Sequence, residues 1–368
     1  MPMISADRPI QRPRDAKLLV VDGRGRMTHA PRSRFVDFLR PGDVVVANDA
    51  ATLPASLRGV HEPSGAEIEV RLAGRISLAA DAVRHFSAIV FGAGDFHMRT
   101  EDRPPPPILA PGDRFRLGPL SATVETLLGH ARLVRLSFDG SADSVWAGIA
   151  RHGRPIQYAH MPVQLADWDV WTPIAAAPAA FEPPSAGFVL DWHSMQRMRA
   201  RAIAFATLTL AAGISSTGDP ELDRRLPFEE PYRIPDSTAA AIRRAREDGG
   251  RLVAVGTTVV RALEHAATRT GRICGGEGLS DQRVDANSRL RLVDVILSGT
   301  HEPDTSHYQL LRAFLDDAAI VAMTEALETH RYRTHEFGDS VLIERMTRVV
   351  ETTDDVDGRR DEAVATAA

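Results

Sequence analysis

LVAVGTTVVRALEHA, residues 252–266, is the stretch on which the fold turns. Leu252 to Val255 are four consecutive apolar residues, the pattern of a strand buried on both faces. Gly256 then allows the backbone a close approach, and Thr257-Thr258 lead into a helix that ends at the C-cap Gly271. A strand running through a glycine corner into a helix is a repeating unit of α/β sheets. The free N–H groups at such a helix start favour a carboxylate or phosphate, although Thr257 or Thr258 could also serve only as an N-cap.

Moving outward, similar units appear on both sides. KLLVVDG (17–23), VVVA (44–47), AFATLTLAAG (204–213), LRLVDVILSG (290–299) and SVLIERM (340–346) read as strands. DWHSMQRMRARA reads as a helix capped by Asp191. STAAAIRRARED reads as one capped by Asp236 or Ser237 and stopped by Gly249-Gly250. HYQLLRAFLDDAAIVAMTEALETH is a long helix with a break expected near Ala318, and 271–289 is a glycine-rich polar loop. Between about 56 and 150 the texture differs. AEIEVRLAG (66–74) alternates, further short strands follow, and Pro104 to Pro107 and Pro111-Gly112-Asp113 separate them, so this part reads as a small β-barrel or sandwich. The expected organisation is a discontinuous α/β domain, 1–55 plus 151–348, an inserted all-β domain at 56–150, and a disordered acidic tail at 349–368.

Composition bounds the chemistry. The chain has 368 residues, 43% hydrophobic and 25% charged, enough for a large core. Cys274 is the lone cysteine, which excludes an intrachain disulfide and a cysteine-based zinc site. The tail holds six acids and two arginines, so it supplies −4 of the net charge of −5. The nearly neutral remainder neither demands nor forbids RNA. No apolar run reaches the length of a membrane span, and the N-terminus lacks a signal core, so the expectation is a cytoplasmic protein, a monomer, with no membrane partner. There is no HExxH or Walker motif, and His152 and His160, eight apart in a loop, make a poor zinc pattern, so no metal is expected.

In α/β sheets ligands gather beyond the carboxyl ends of strands. Four such ends carry polar residues: Gly256-Thr257-Thr258 with Arg261; Ser298-Gly299-Thr300-His301 through Ser306; Asn48-Asp49; and the segment Ala211 to Asp219, including Gly213. His301 could act as a general base, since an unperturbed histidine, with a pKa of about 6.5, titrates near working pH, though a capping loop with a solvated histidine is the plainer alternative. Asn and Asp also favour turns, and small residues also make flexible turns. Tyr158, Trp168 and Trp171 beside Arg151, His152 and Arg154 could stack bases, or simply pack as a linker.

Five segments, in order, resemble the S-adenosylmethionine:tRNA ribosyltransferase-isomerase family of queuosine biosynthesis. LVAVGTTVVRALEHA resembles its strand–GTT–x–VR–x–LE segment. RPGDVVVANDAATLPASLRG (40–59), PPSAGFVL (183–190), VDVILSGTHEPDTS (293–306) and YRTHEFGDSVLI (332–343) resemble four others. The resemblance implies an α/β fold, a mixed-sheet, barrel-like α/β domain with an inserted all-β barrel domain. It implies transfer and isomerisation of the ribosyl part of S-adenosylmethionine onto a 7-aminomethyl-7-deazaguanine in tRNA. Adenine and methionine leave, an epoxycyclopentane ring forms, and no metal is needed. S-adenosylmethionine is then co-substrate and tRNA the partner. The positions carried over are His301, Glu230 and Asp339 as catalytic, and Asn48, Asp49, Gly187, Gly213, Gly256, Thr257, Thr258, Arg261 and Ser306 as substrate-binding. In particular, Thr257, Thr258 and Arg261 would hold the methionine carboxylate or a phosphate, and Glu230 or Asp339 would face the sulfonium or a ribose.

The chain departs from the pattern at Val189 and Thr209, where the family motifs carry histidine. It departs also at Phe228-Glu229 in place of His-Ser, at Ala51 in place of Arg, and at Gly299-Thr300 in place of Asn-Phe. Two alternatives follow: a divergent paralogue that binds S-adenosylmethionine or another nucleoside with a changed acceptor, and a non-catalytic RNA- or nucleotide-binding protein.

Overall fold

The structure is a computed structural model describing residues 3–303 and 305–346. The acidic tail expected at 349–368 lies outside the described residues. Nine strands form the main sheet in the order Gly276–Ser280, Glu230–Ile234, Ala204–Leu210, Val44–Asn48, Leu252–Val255, Val295–Gly299, Ser340–Glu344, Lys17–Val21, Met27–Pro31. The four middle strands, from Ala204–Leu210 to Val295–Gly299, are mutually parallel. Antiparallel partners flank them on either side.

The apolar runs mark the centre because both faces are covered. Alternate residues of one strand enter opposite clusters: Val44 and Val46 pack with Ala239, Ile242, Val259 and Leu263, while Val45 and Ala47 pack with Phe35, Val36 and Met198. The helices Asp236–Glu247 and Thr257–Thr270 thus cover one face. The 3-10 helix Arg32–Phe38 and the helix Trp192–Ala200 cover the other.

Closure is confined to the second unit. Ser56–His61, Ala66–Gly74, His85–Phe91, Arg114–Leu117, Leu120–His130 and Leu133–Phe138 form a closed six-stranded antiparallel barrel. Its apolar positions alternate inward, and Phe86 meets Phe138 edge-on at 5.9 Å. A buried charged group lies on the opposite face of the strand Ala66–Gly74. Glu69 receives Arg71 Nε at 2.7 Å and Arg103 Nη1 at 2.5 Å, and all three residues are buried.

Three local expectations change. The glycine-rich segment 271–289 contains a strand, Gly276–Ser280, paired along Glu230–Ile234. The long C-terminal helix is two, Ser306–Leu311 and Asp317–Thr329, because Asp316 caps the second by accepting the Ala319 N–H at 2.8 Å. Asp236 is the first residue of its helix rather than its cap, which falls at Pro235. Asp191 does cap its helix, taking the Ser194 N–H at 2.7 Å. Among the described residues no helix is long and apolar enough to cross a membrane.

Candidate functional site

Leu252–Val255 and Val295–Gly299 are adjacent parallel strands, so their carboxyl ends lie side by side. The corners that follow them face one cavity of about 740 Å³. Of the residues singled out from sequence, Gly213, Glu230, Gly256, Thr257, Thr258, Arg261, His301 and Ser306 line it.

The helix corner is built around Gly256, whose φ of 98° lies in the region only glycine enters without strain. Gly256 itself is the N-cap and provides no side-chain cap, which places Thr257 and Thr258 inside the helix and leaves its first N–H groups without a capping side chain. One turn on, Arg261 donates Nη1–H to Glu230 Oε2 at 2.5 Å, and Glu230 Oε1 accepts the Gly213 N–H at 2.8 Å. Burial lifts the Glu230 carboxyl above its ordinary range, with Arg261 and the Gly213 N–H opposing the rise. Arg261 is buried as well, and its Nε and Nη2 have no partner among the described residues.

The other corner presents His301, with Nε2 at 2.9 Å from Ser298 Oγ. His307 stacks on it at 4.8 Å. Burial, followed by the charges of His307 and His335, lowers the His301 pKa well below the ordinary value, so a mid-range pKa is not what qualifies it as a base. It is a neutral imidazole at neutral pH. Burial and Arg261 push His307 down to about 4.

Four sequence candidates lie away from the cavity, and their polar atoms are committed to the fold. Asp339 accepts the N–H groups of Lys17 and Arg333, each at 2.8 Å. Asn48 bridges Ala50 and Leu210 backbone. Asp49 accepts the hydroxyls of Thr207 and Thr209 at 2.8 and 2.6 Å. Gly187 is buried in the 3-10 helix Ser185–Val189 against Thr172. The same holds for two positions where the resemblance expects histidine. Val189 is in the core beside Leu190 and Met198, and Thr209 spends its hydroxyl on Asp49, so neither is on the cavity wall.

The cavity also holds Glu182, His307, His335 and Glu336, which sequence reasoning passed over, together with Tyr158 and His160, which it weighed in other roles. Tyr158 is not a surface stacking platform. Its hydroxyl donates to Glu182 inside the cavity wall, while Trp168 stays exposed and Trp171 Nε1 donates to Thr52 O at 2.9 Å. Burial, then the charge of Glu336, pushes Glu182 up to about 7. His152 lies elsewhere, bonded to Arg58 O at 2.7 Å, and His160 meets His335 and Glu336 instead. No spacing rule links residues 160, 182, 307 and 335. Only the fold assembles them.

Comparisons with known proteins identify a family. The sequence model of the family described as queuosine biosynthesis protein matches residues 2–343. A protein of Gloeobacter violaceus named S-adenosylmethionine:tRNA ribosyltransferase-isomerase is 33% identical over 344 residues, covering 92% of each chain. One of the same name from Azoarcus is 32% identical over 355 residues, covering 94% of this chain and 95% of its own. A crystal structure of S-adenosylmethionine tRNA ribosyltransferase from Thermotoga maritima is 23% identical with a TM-score of 0.48, covering 92% of this chain and 96% of that one. With a family match over nearly its full length, the chain belongs to the queuosine biosynthesis protein family.

Proposed function

We propose that this chain is an S-adenosylmethionine:tRNA ribosyltransferase-isomerase, moving the ribosyl part of S-adenosylmethionine onto a 7-aminomethyl-7-deazaguanine in tRNA with release of adenine and methionine. Its relatives carry that enzyme's name over nine-tenths of their length. The observation that carries the reading to this chain's own residues is the pairing of two strand-end corners on one cavity, one offering an anion site and the other a neutral imidazole.

Arg261, held by Glu230, and the start of the helix at Thr257-Thr258 bind the methionine carboxylate. The two spare donors of Arg261 are costly when unpaired, about 1–3 kcal/mol each, and an anion offsets that cost. The sulfonium acidifies the adjoining C–H groups of the ribose. In the tautomer whose Nε2–H is donated to Ser298 Oγ, Nδ1 of His301 is the atom that takes the proton. Gly213 and Ser306 line the space for the nucleoside. Because Val189 and Thr209 are off the wall, the histidines missing there remove no group from the cavity, which favours retained chemistry over a changed acceptor. The same reading takes 56–150 as an inserted domain in an α/β domain of 1–55 plus 151–348. It places the chain in the cytoplasm as a monomer.

The test is incubation with labelled S-adenosylmethionine and tRNA bearing the 7-aminomethyl-7-deazaguanine, following free adenine. Adenine release in step with label entering the tRNA is expected. Release with a small acceptor but not with tRNA would establish the altered-acceptor paralogue. Saturable S-adenosylmethionine binding without any turnover would leave only a binding protein.

A further inference from the structure

Two carboxyl groups on the cavity wall have no part in the roles given so far, Glu182 and Glu336. Glu182 is buried and is held by neutral donors. The Tyr158 hydroxyl donates to its Oε1, and Ser215 supplies a further hydrogen bond. Among the described residues no cation forms an ion pair with it. Arg71 stands behind Tyr158, its guanidinium 5.6 Å from the ring centre, and gives its Nε to Glu69 at 2.7 Å. A buried carboxyl with only neutral partners is costly to ionise.

Glu336 is held differently. Burial pushes its carboxyl up, but the bond to His160 and the charges of His160 and His335 bring it below the ordinary range. His160 Nε2 lies 3.4 Å from Glu336 Oε2. The His160 ring is near-parallel to Tyr158 at 6.3 Å and to His335 at 4.1 Å, so one stack of rings backs the wall that carries both acids. The charge of Glu336 reaches Glu182 and contributes to its raised pKa. Two residues before Glu336, Thr334 also lines the cavity. It is buried to 1% exposure, and its Oγ1 has no partner among the described residues. A buried hydroxyl without a partner is unfavourable until a ligand meets it.

This wall therefore has acceptors in excess and lacks a cation. A primary ammonium fits the deficit, since it brings one positive charge and three N–H donors. A sulfonium brings charge but no hydrogen to donate. We propose that Glu182, with Glu336 and the Thr334 hydroxyl, forms a subsite for a primary ammonium group of a substrate. The proposal rests on the transferase reading, which brings two such groups into the cavity. One is the aminomethyl nitrogen of the acceptor base, and the other is the α-amino nitrogen of S-adenosylmethionine.

Titration calorimetry on the purified full chain tests this with two pairs of probes. The first pair is 7-aminomethyl-7-deazaguanine and 7-methyl-7-deazaguanine. The second is S-adenosylmethionine and its desamino analogue. The parent should bind the amine of one pair at least about tenfold more tightly than its amine-free counterpart. Glu182→Gln should abolish most of that preference and leave affinity for the amine-free member little changed. The pair that responds identifies the group bound. Glu336→Gln should reduce the same preference. Glu302→Gln, which neutralises an exposed acid of the same cavity, should keep it. Glu182→Gln retains an acceptor for Tyr158, and thermal melting verifies that each variant folds. The proposal is overturned if the parent shows no amine preference in either pair, if Glu182→Gln keeps it, or if Glu302→Gln loses it equally. S-adenosylmethionine bound without any such preference would remove the subsite and leave the transferase reading standing. A parent that binds neither amine would overturn both.

Discussion

Arg261 Nη1 stands 2.5 Å from Glu230 Oε2, so the cavity's buried cation is held by a buried anion from a neighbouring strand. Removing the charge while keeping the shape releases Arg261. Glu230→Gln is expected to weaken S-adenosylmethionine binding about tenfold, and Arg261→Gln by about 10–100-fold, as for hydrogen bonds to charged groups. Titration calorimetry measures both. Unchanged affinity in Arg261→Gln would remove it from the anion site.

On the proposed function, His301 takes the proton. His301→Ala should lower kcat by ~10²–10⁴ while S-adenosylmethionine affinity changes little. Since burial and neighbouring histidines hold the pKa of His301 well below its ordinary value, the imidazole stays in its base form as the solution is acidified. The acid limb of kcat is thus expected well below pH 6.5, the ordinary histidine value. A limb centred at pH 6.5 that disappears in His301→Ala would contradict the burial described for this residue.

Gly256 turns the chain at a φ of 98° where the central strand enters its helix. A Cβ there meets Ala186 only at 3.5 Å, so the penalty of Gly256→Ala is conformational rather than steric. About 1–3 kcal/mol of stability should be lost, and the anion site should weaken because the helix start must shift. Chemical denaturation and S-adenosylmethionine titration read the two effects. Full stability with full affinity would refute the assignment.

Glu69 is expected to govern acid stability of the barrel. Burial pushes its carboxyl up, but Arg71 and Arg103 overcome this and hold it down at about 2. A depressed folded pKa contributes stability that is complete above the unfolded value of about 4.5 and is lost as pH falls from there towards 2. Glu69→Gln should cost on the order of 3–5 kcal/mol at pH 7, since two buried guanidinium groups lose their counter-charge. Its unfolding curve should then be flatter between pH 4.5 and 2 than the parent's.

Glu182 has the opposite sign. Its folded pKa is raised to about 7, so its contribution is complete below the unfolded value of about 4.5 and is lost as pH rises through 7. Glu182→Gln keeps an oxygen to accept the Tyr158 hydroxyl and carries no charge to bury. The variant should match the parent near pH 4.5 and exceed it at pH 8 by on the order of 1–3 kcal/mol. Parallel melting curves at both pH values would disprove the shift.

The apolar strands were legible because both their faces are buried, which leaves a continuous hydrophobic run. The glycine corner was legible because its residue types are dictated by backbone geometry. The strand Gly276–Ser280 was hidden because GEGLS has almost no side-chain pattern. It pairs through its backbone, and Gly278 is glycine because the Tyr232 ring occupies the space of a Cβ. The break after Leu311 was misplaced because apolar periodicity continues through it, and only the Asp316 cap marks the restart. Asn48, Asp49 and Asp339 have residue types that serve turns and ligands equally, and their hydrogen bonds go to the fold itself, to backbone for Asn48 and Asp339 and to threonine hydroxyls for Asp49. His160, His307, His335 and Glu336 were out of reach, since their association exists only in three dimensions.

Arg99, Thr100 and Glu101, on the long connection between two barrel strands, form part of the cavity wall, and Gly218 sits so close to Thr100 that a methyl group would not fit between them. The smaller unit is therefore not an ornament that could be trimmed to yield a minimal catalyst. Cutting it away would open the chamber on one flank and admit bulk water to the nucleoside.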